Sequence, residues 1–207
     1  MRSSGQLIEL TLREYTQRLS SGEPTPGGGS AAALAGGLGA ALAAMVAHLT
    51  IGRKTYAEHE VEMQMVSDQA ERLRNQLLAL VDADTIAFKD LMSAYGLPKR
   101  DQQAIEQRQS AIQEALRHAT DIPLATAEAS IQVLNLAVQA REHGNRHASG
   151  DAVVAALLAH AATLGAVHDV RINLQGLNDA EFRAHAEARV AGLVANADAA
   201  LERALEA

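Results

Sequence analysis

The sequence predicts an all-α fold, a single-domain bundle of up-and-down helices, on two observations. Apolar residues recur at helical spacing along most of the chain, and no stretch shows the sustained alternation typical of a β-strand. Hydrophobic residues make up 48% of the 207 residues but aromatic residues only 2%, and a core of Ala, Leu, Val and Met favours closely packed helices over a β-sandwich. Because no linker or repeat interrupts the pattern, we expect one domain over residues 1–207.

Helical segments are predicted between residues that interrupt a helix. Ser20-Ser21-Gly22, Gly96-Leu97-Pro98 and Gly144-Asn145 supply three of these interruptions. Pro123 is placed near the first turn of a helix that begins at Ile122, because proline is well tolerated there. The predicted segments cover residues 7–19, 31–51, 58–95, 102–120, 122–142, 151–172 and 178–206.

Composition and charge argue against several classes of function. A net charge of −7 disfavours a broad nucleic-acid-binding face, and the scarcity of aromatic residues disfavours base stacking. The absence of cysteine excludes a disulfide framework, a thiolate metal site and a thiol nucleophile. The first twelve residues lack the pattern of a signal peptide. We therefore expect a cytoplasmic protein with no nucleic-acid partner.

One segment, residues 31–51, is about as long as a bilayer-spanning helix. It is dominated by Ala and Gly, which each contribute little hydrophobicity, and it carries His48. No second segment of this kind is expected. The segment is therefore predicted to be a buried core helix, and no membrane partner is expected.

The most unusual local composition is the run Pro-Thr-Pro-Gly-Gly-Gly-Ser at residues 24–30. A glycine-rich loop before a helix offers free backbone N–H groups to an anionic or carbonyl group of a ligand, although a tight helix entry explains it equally well. Several glycines within the following helix suggest close approach of another backbone. That backbone belongs either to a neighbouring helix or to the same helix in a second subunit.

Asp82 and Asp84 are the candidates for acid/base chemistry. Both lie in an apolar context, where burial would raise their pKa toward a useful range. Residues two apart on a helix point about 200° away from each other, so both cannot face one site. The alternative interpretation is that both are solvated helix charges.

Four stretches, taken together and in order, resemble the cyclodeaminase/cyclohydrolase family of folate enzymes. The resemblance implies an all-helical homodimer that opens or closes the one-carbon bridge of tetrahydrofolate by acid/base catalysis, without a metal or other cofactor. It leaves two reactions open: formimidoyltetrahydrofolate cyclodeaminase, which releases ammonia, and methenyltetrahydrofolate cyclohydrolase, which gives 10-formyltetrahydrofolate. The stretches are residues 24–30 with the Ala/Gly-rich helix that follows, Gly52-Arg53-Lys54-Thr55-Tyr56, Val81-Asp82-Ala83-Asp84 through Leu97-Pro98-Lys99, and Gly144-Asn145 through Arg171-Ile172-Asn173-Leu174.

The resemblance also implies a set of site residues. It places the catalytic acid at Asp82. Lys54 is expected to bind folate carboxylates and Tyr56 to stack on a folate ring, with solvation and core packing as the alternatives. For Asp151 a helix cap, and for Asn173 a turn, are the alternatives. The full substrate-binding set is Gly27, Gly28, Gly29, Ser30, Lys54, Tyr56, Asp84, Asn145, Asp151 and Asn173.

The chain departs from the family pattern in one loop and at one further position. His147, Ala148, Gly150 and Val153 replace the usual Asn, Ser, Ser and Gly, and Asp169 stands where Asn is common. These departures motivate the alternative of a non-catalytic folate-binding or scaffold protein on the same fold.

Histidine spacing gives no strong metal signal. His143 and His147 are four residues apart, but Gly144-Asn145 lies between them and interrupts the helix. No metal site is expected.

Overall fold

The structure is a computed structural model that describes residues 5–206. Within that range the chain forms six α-helices and no β-strand, which confirms the predicted all-α class. Each of the helices from α2 to α5 packs against the next, α2 also contacts α4 and α5, and α6 covers α4 and α5. The helices are α1 (Leu12–Leu19), α2 (Gly28–His48), α3 (Glu60–Tyr95), α4 (Gln102–His143), α5 (Ser149–Leu174) and α6 (Ala180–Glu206), with 3-10 turns at Leu7–Glu9, Lys54–His59 and Arg146–Ala148.

Helix α2 packs against α3, α4 and α5, and its glycines permit the close approach expected of them. A Cβ atom at Gly36 would lie 2.7 Å from Ser130 Oγ on α4, and one at Gly39 would lie 2.9 Å from the carbonyl oxygen of Ala155 on α5. Both distances are shorter than normal contacts. The small residues of α2 therefore bring α4 and α5 against its backbone.

The predicted helix over residues 7–19 is divided in the structure. A 3-10 turn ends at Glu9, and α1 begins only after Thr11. Thr11 Oγ1 accepts from the backbone N–H of Glu14, and the Glu14 carboxylate accepts from the backbone N–H of Thr11. This capping box fixes a helix start inside a continuous apolar pattern.

The predicted break between residues 120 and 122 is wrong, because α4 runs unbroken from Gln102 to His143 with Pro123 inside it. Proline has no N–H to donate to the carbonyl four residues earlier, which here belongs to Ala119. The side-chain amide of Asn173, on α5, donates to that carbonyl oxygen at 2.6 Å instead. A contact from another helix thus replaces the hydrogen bond that proline cannot make.

Two helical segments, not one, are long and apolar enough to span a membrane: Gly28–His48 and Arg146–Leu174. The expectation that no second such segment follows is therefore wrong. Within the bundle, 56% of the first apolar window and 44% of the second are buried, and the two helices pack on each other. The exposed large apolar residues of these segments include Leu38, Met45, Leu49, Val154 and Leu157, which are called here the apolar face on α2 and α5.

Candidate functional site

A cavity of about 290 Å³ lies at the end of the bundle where α2 begins. Its volume is near the lower limit for ligand sites, roughly 300–1,000 Å³. The wall is mostly apolar and includes two carboxyl groups and one amide. The lining residues are Pro24, Thr25, Gly27, Gly28 and Gly29 from the loop, Asp84, Ala87, Phe88 and Leu91 from α3, Ala119 and Pro123 from α4, and Asp169, Ile172 and Asn173 from α5.

Asp84 lines this cavity and has the most perturbed carboxyl group in it. Burial raises its pKa to about 6, and the negative charge of Asp169 contributes to the rise. A hydrogen bond donated by the backbone N–H of Ser30 acts in the opposite direction. A carboxyl group with a pKa near 6 can exchange a proton readily at neutral pH.

Glycine at position 29 allows Asp84 to approach the start of α2. A Cβ atom there would overlap the Asp84 carboxylate and lie 3.2 Å from Asp169 Oδ2. Gly27, the N-cap of α2, supplies no side-chain hydrogen bond to the helix. The Asp84 carboxylate, which lies on α3, caps α2 instead by accepting a hydrogen bond from the backbone N–H of Ser30. Part of the glycine-rich loop therefore binds the protein's own Asp84 carboxylate and not a ligand.

Two further groups around Asp84 were not assigned to the site from the sequence. Asp169 stood out only as a departure from the family pattern, yet its carboxyl faces the same cavity, and burial raises its pKa. Tyr15 is buried, and its hydroxyl lies 3.2 Å from Ser30 Oγ. Burial, together with the charge of Asp84, raises the pKa of Tyr15.

Asp82 points away from the cavity, as its offset of two residues from Asp84 requires. Its Oδ1 accepts a hydrogen bond from the backbone N–H of Leu7 and thereby ties the N-terminal 3-10 turn to α3. The other oxygen is buried and has no hydrogen-bond partner within the described part of the chain. The geometry therefore does not support the catalytic role expected of Asp82. Asp84, and not Asp82, lines the cavity.

Four of the predicted substrate-binding residues lie at the opposite end of the bundle. Lys54 and Tyr56 follow the end of α2, while Asn145 and Asp151 flank the start of α5. Since α2 has 21 residues, this end is about 30 Å from the cavity along the helix axis. One chain therefore does not bring the predicted residues into a single site.

Asn145 and Tyr56 make contacts that hold this far end together. The backbone N–H of Asn145 donates to Thr50 Oγ1 at 2.8 Å, and its side-chain amide donates to the carbonyl of Leu49 at 3.1 Å. The Tyr56 hydroxyl accepts from the backbone N–H of Arg146 at 3.1 Å. Lys54 is exposed, and Asp151 lies in the first turn of α5, where its charge suits the helix dipole.

Comparison with known proteins gives consistent matches. A family model described as formiminotransferase-cyclodeaminase matches residues 11–192. The chain is 42% identical over 196 residues to a methenyltetrahydrofolate cyclohydrolase of Methylorubrum extorquens, covering 95% of this chain and 94% of that protein. It is 34% identical over 191 residues to the formimidoyltransferase-cyclodeaminase of Rattus norvegicus, covering 92% of this chain but only 35% of the relative.

A solved structure also matches over nearly the whole chain. The formiminotetrahydrofolate cyclodeaminase of Thermotoga maritima superposes with a TM-score of 0.88 at 28% identity, covering 97% of this chain and 96% of that one. The chain thus spans the full fold of that protein and about a third of the length of the rat relative.

Proposed function

The chain belongs to the formiminotransferase-cyclodeaminase family, and on that premise we propose that it is a methenyltetrahydrofolate cyclohydrolase with Asp84 as its acid/base group. The observation that carries this assignment is the half-buried carboxyl of Asp84, with a pKa near 6, in the cavity at the start of α2. The choice of reaction follows the cyclohydrolase relative, which is matched over nearly its full length.

The first step is attack of water on the cationic methenyl carbon between N5 and N10 of the folate. The Asp84 carboxylate accepts a proton from the water as the C–O bond forms, which gives a neutral tetrahedral carbinolamine. General base catalysis of this kind contributes roughly 10²–10⁴-fold in rate. The carboxylate form predominates at neutral pH, because the pKa of Asp84 is about 6.

In the second step the bond between N5 and the tetrahedral carbon breaks. The protonated Asp84 returns its proton to N5, while the hydroxyl group loses its proton to solvent and becomes the formyl carbonyl on N10. One water is consumed and one proton is released. Asp169, across Gly29 from Asp84, raises the affinity of Asp84 for the proton in transit. These steps use carboxyl groups and water, without a bound metal or other cofactor.

Binding is proposed to place the pteridine in the cavity, where Phe88 and Leu91 offer apolar contact. The cavity is too small for a whole folate molecule, so the aminobenzoyl-glutamate portion extends outside it. No Lys or Arg lines the cavity of the described chain. The cations that would bind the glutamate carboxylates must therefore come from elsewhere, and Lys54 of a second subunit is the proposed source.

A homodimer would supply that second subunit through the apolar face on α2 and α5. A two-fold axis that lies in this interface and runs perpendicular to α2 would set α2 antiparallel to its copy and bring the far end of one chain to the cavity of the other. Ile172, which lines the cavity and is 50% exposed, lies on the same helix as the apolar residues Val154 and Leu157. The proposed interface therefore continues to the mouth of the cavity.

Cyclodeaminase activity is the second candidate, favoured by the match to the Thermotoga maritima enzyme. In that reaction N10 attacks the formimidoyl carbon on N5 and its proton passes to the imino nitrogen, and ammonia leaves after that nitrogen has received one further proton. Asp84 would donate that proton from the same position. The two reactions therefore differ in the nucleophile and the leaving group and not in the carboxyl group required.

The test follows loss of methenyl absorbance with 5,10-methenyltetrahydrofolate near pH 7, after subtraction of the rate without protein. We expect Asp84→Asn to lower kcat roughly 10²–10⁴-fold, the usual contribution of a general acid/base. Asp82→Asn is the matched control, two residues away on the opposite side of α3. It should keep most of the activity, because Asp82 holds Leu7 and does not face the cavity.

Three other outcomes would lead to different conclusions. Loss of activity in the Asp82 variant alone would restore the assignment implied by the family resemblance. No acceleration by the wild-type protein, together with ammonia release from 5-formimidoyltetrahydrofolate, would make the chain a cyclodeaminase. Absence of both reactions would leave a non-catalytic folate-binding or scaffold protein.

A further inference from the structure

Two histidines and one glutamate meet at the end of the bundle opposite the cavity. His59 ends the 3-10 turn before α3, Glu62 lies in the first turn of α3, and His143 is the last residue of α4. Because α3 and α4 are consecutive and antiparallel, the start of one lies beside the end of the other. The fold thus joins residues that are 84 positions apart in the sequence.

The donor atoms of these three side chains already converge. His143 Nδ1 lies 2.8 Å from Glu62 Oε2, and His59 Nδ1 lies 3.5 Å from the same oxygen. The two imidazole rings are parallel within 5°, with centroids 4.5 Å apart. One donor atom from each residue falls within 4.8 Å of the other two.

We propose that His59, Glu62 and His143 bind one divalent transition-metal ion, with Zn²⁺ as the best-suited species. Zinc takes imidazole nitrogen and carboxylate oxygen at about 2.0–2.2 Å, so the donor atoms must draw together and the two stacked rings must tilt toward a shared ion. Imidazole donors suit Zn²⁺ and its neighbours, whereas Mg²⁺ and Ca²⁺ prefer sites made of oxygen.

The surroundings of the cluster fit such an ion. The three side chains are about one-third exposed, between 29% and 38%, so an ion can enter and water can complete its coordination. Glu58 Oε1 lies 3.6 Å from His59 Nε2, the ring nitrogen that faces away from Glu62. This separation exceeds a hydrogen bond, so Glu58 contributes a negative charge near the site and does not fix the ring.

Within one chain, the metal site lies at the end of the bundle opposite Asp84. It neighbours Lys54 and Tyr56, which the proposed dimer would bring to the cavity of the second subunit. Glu62 and Asp84 are 22 residues apart on α3, which corresponds to about 33 Å along the helix. A metal ion here would link the start of α3 to the end of α4, next to the loop that leads into α5. Its expected effect is therefore stabilisation of this end of the bundle.

The test is titration of tag-free, metal-stripped protein with Zn²⁺ by calorimetry, and with Co²⁺ by visible absorption. We expect one ion per chain and a rise in Tm with Zn²⁺. His59→Ala and His143→Ala should each weaken binding at least tenfold and abolish the rise in Tm. His147→Ala is the matched control: His147 is an exposed histidine four residues from His143 and outside the cluster, and its variant should bind as the wild type does.

The proposal is overturned if the wild-type protein binds no Zn²⁺, or if His147→Ala weakens binding as much as His143→Ala. It is also overturned if both cluster variants bind as tightly as wild type. Circular dichroism of each metal-free variant reports its folding. Glu62→Gln, which keeps the side-chain shape, is the second variant, and it should also weaken binding if the carboxylate is a ligand.

Discussion

The pKa of Asp84 reflects opposing influences, some of which favour the neutral carboxyl and one of which favours the carboxylate. Burial and Asp169 favour the neutral acid, while the Ser30 N–H at the start of α2 favours the carboxylate. The first two dominate, since the pKa rises from 3.8 to about 6. The ionised Asp84 carboxylate, which the proposed reaction needs at neutral pH, therefore destabilises the fold.

Asp84→Asn should make the protein more stable at pH 8 than the wild type. The raised pKa means that the protonated carboxyl stabilises the fold below about pH 4 and that this contribution is lost as pH rises through 6. A shift of about two units corresponds to at most about 3 kcal/mol. Tm measured at pH 4 and pH 8 checks this, and an equal change at both pH values would contradict it.

Gly29→Ala should lower both stability and activity, whereas Gly28→Ala should not lower stability. The new Cβ at position 29 would displace the Asp84 carboxylate, at a cost of roughly 1–3 kcal/mol. Nothing lies within 4 Å of a Cβ at position 28, where alanine favours the helix by up to about 1 kcal/mol. Urea denaturation and the methenyl assay measure both effects, and equal behaviour of the two variants would contradict the close approach of Asp84.

Among the elements, α4 depends on α5 for its continuity. Pro123 leaves the Ala119 carbonyl without its helical donor, and Asn173 replaces that donor. The side-chain amide of Asn173 is thus committed to another helix at the wall of the cavity. This contact positions α4 and α5, which supply one side of the site.

A double-mutant cycle tests the contact between α5 and α4. Asn173→Ala should cost about 1–3 kcal/mol, because it leaves a buried carbonyl unpaired. In a Pro123→Ala background the cost should fall below about 1 kcal/mol, since the new backbone N–H can donate to Ala119. Urea denaturation of the four proteins gives the coupling energy, and additive effects would show that Asn173 does not substitute for the missing N–H.

The whole molecule presents an apolar face that one chain leaves uncovered. Leu38 and Met45 of α2 lie in this face, and Leu157 of α5 is 45% exposed. Since Lys54 and Tyr56 lie about 30 Å from the cavity in the same chain, a second subunit would both cover the face and complete the proposed binding site.

Leu38→Arg should convert a dimer to a monomer and weaken folate binding, because a charge in an apolar interface remains unpaired. Leu205→Arg is the control, since Leu205 is exposed near the end of α6 and outside this face. Light scattering at micromolar concentration and the KM for methenyltetrahydrofolate are the measurements. A wild-type monomer with full activity would contradict the proposed shared site.

The local sequence determined the features that depend on a few neighbouring residues. Helical periodicity predicted the all-α class and most of the helices, and the glycine-rich run marked the wall of the cavity. The 200° offset between Asp82 and Asp84 showed that only one of them can enter a site. Each of these follows from the geometry of a single helix or loop.

Only the tertiary structure decided which residues meet. Whether Asp82 or Asp84 faces the cavity depends on which side of α3 packs against α2, and the partnership of Asp84 with Asp169 joins two helices far apart in the sequence. The continuity of α4 through Pro123 required a donor from α5, and His59 met His143 only because α3 and α4 are antiparallel. Contacts of this kind depend on the relative placement of helices, which local sequence patterns do not encode.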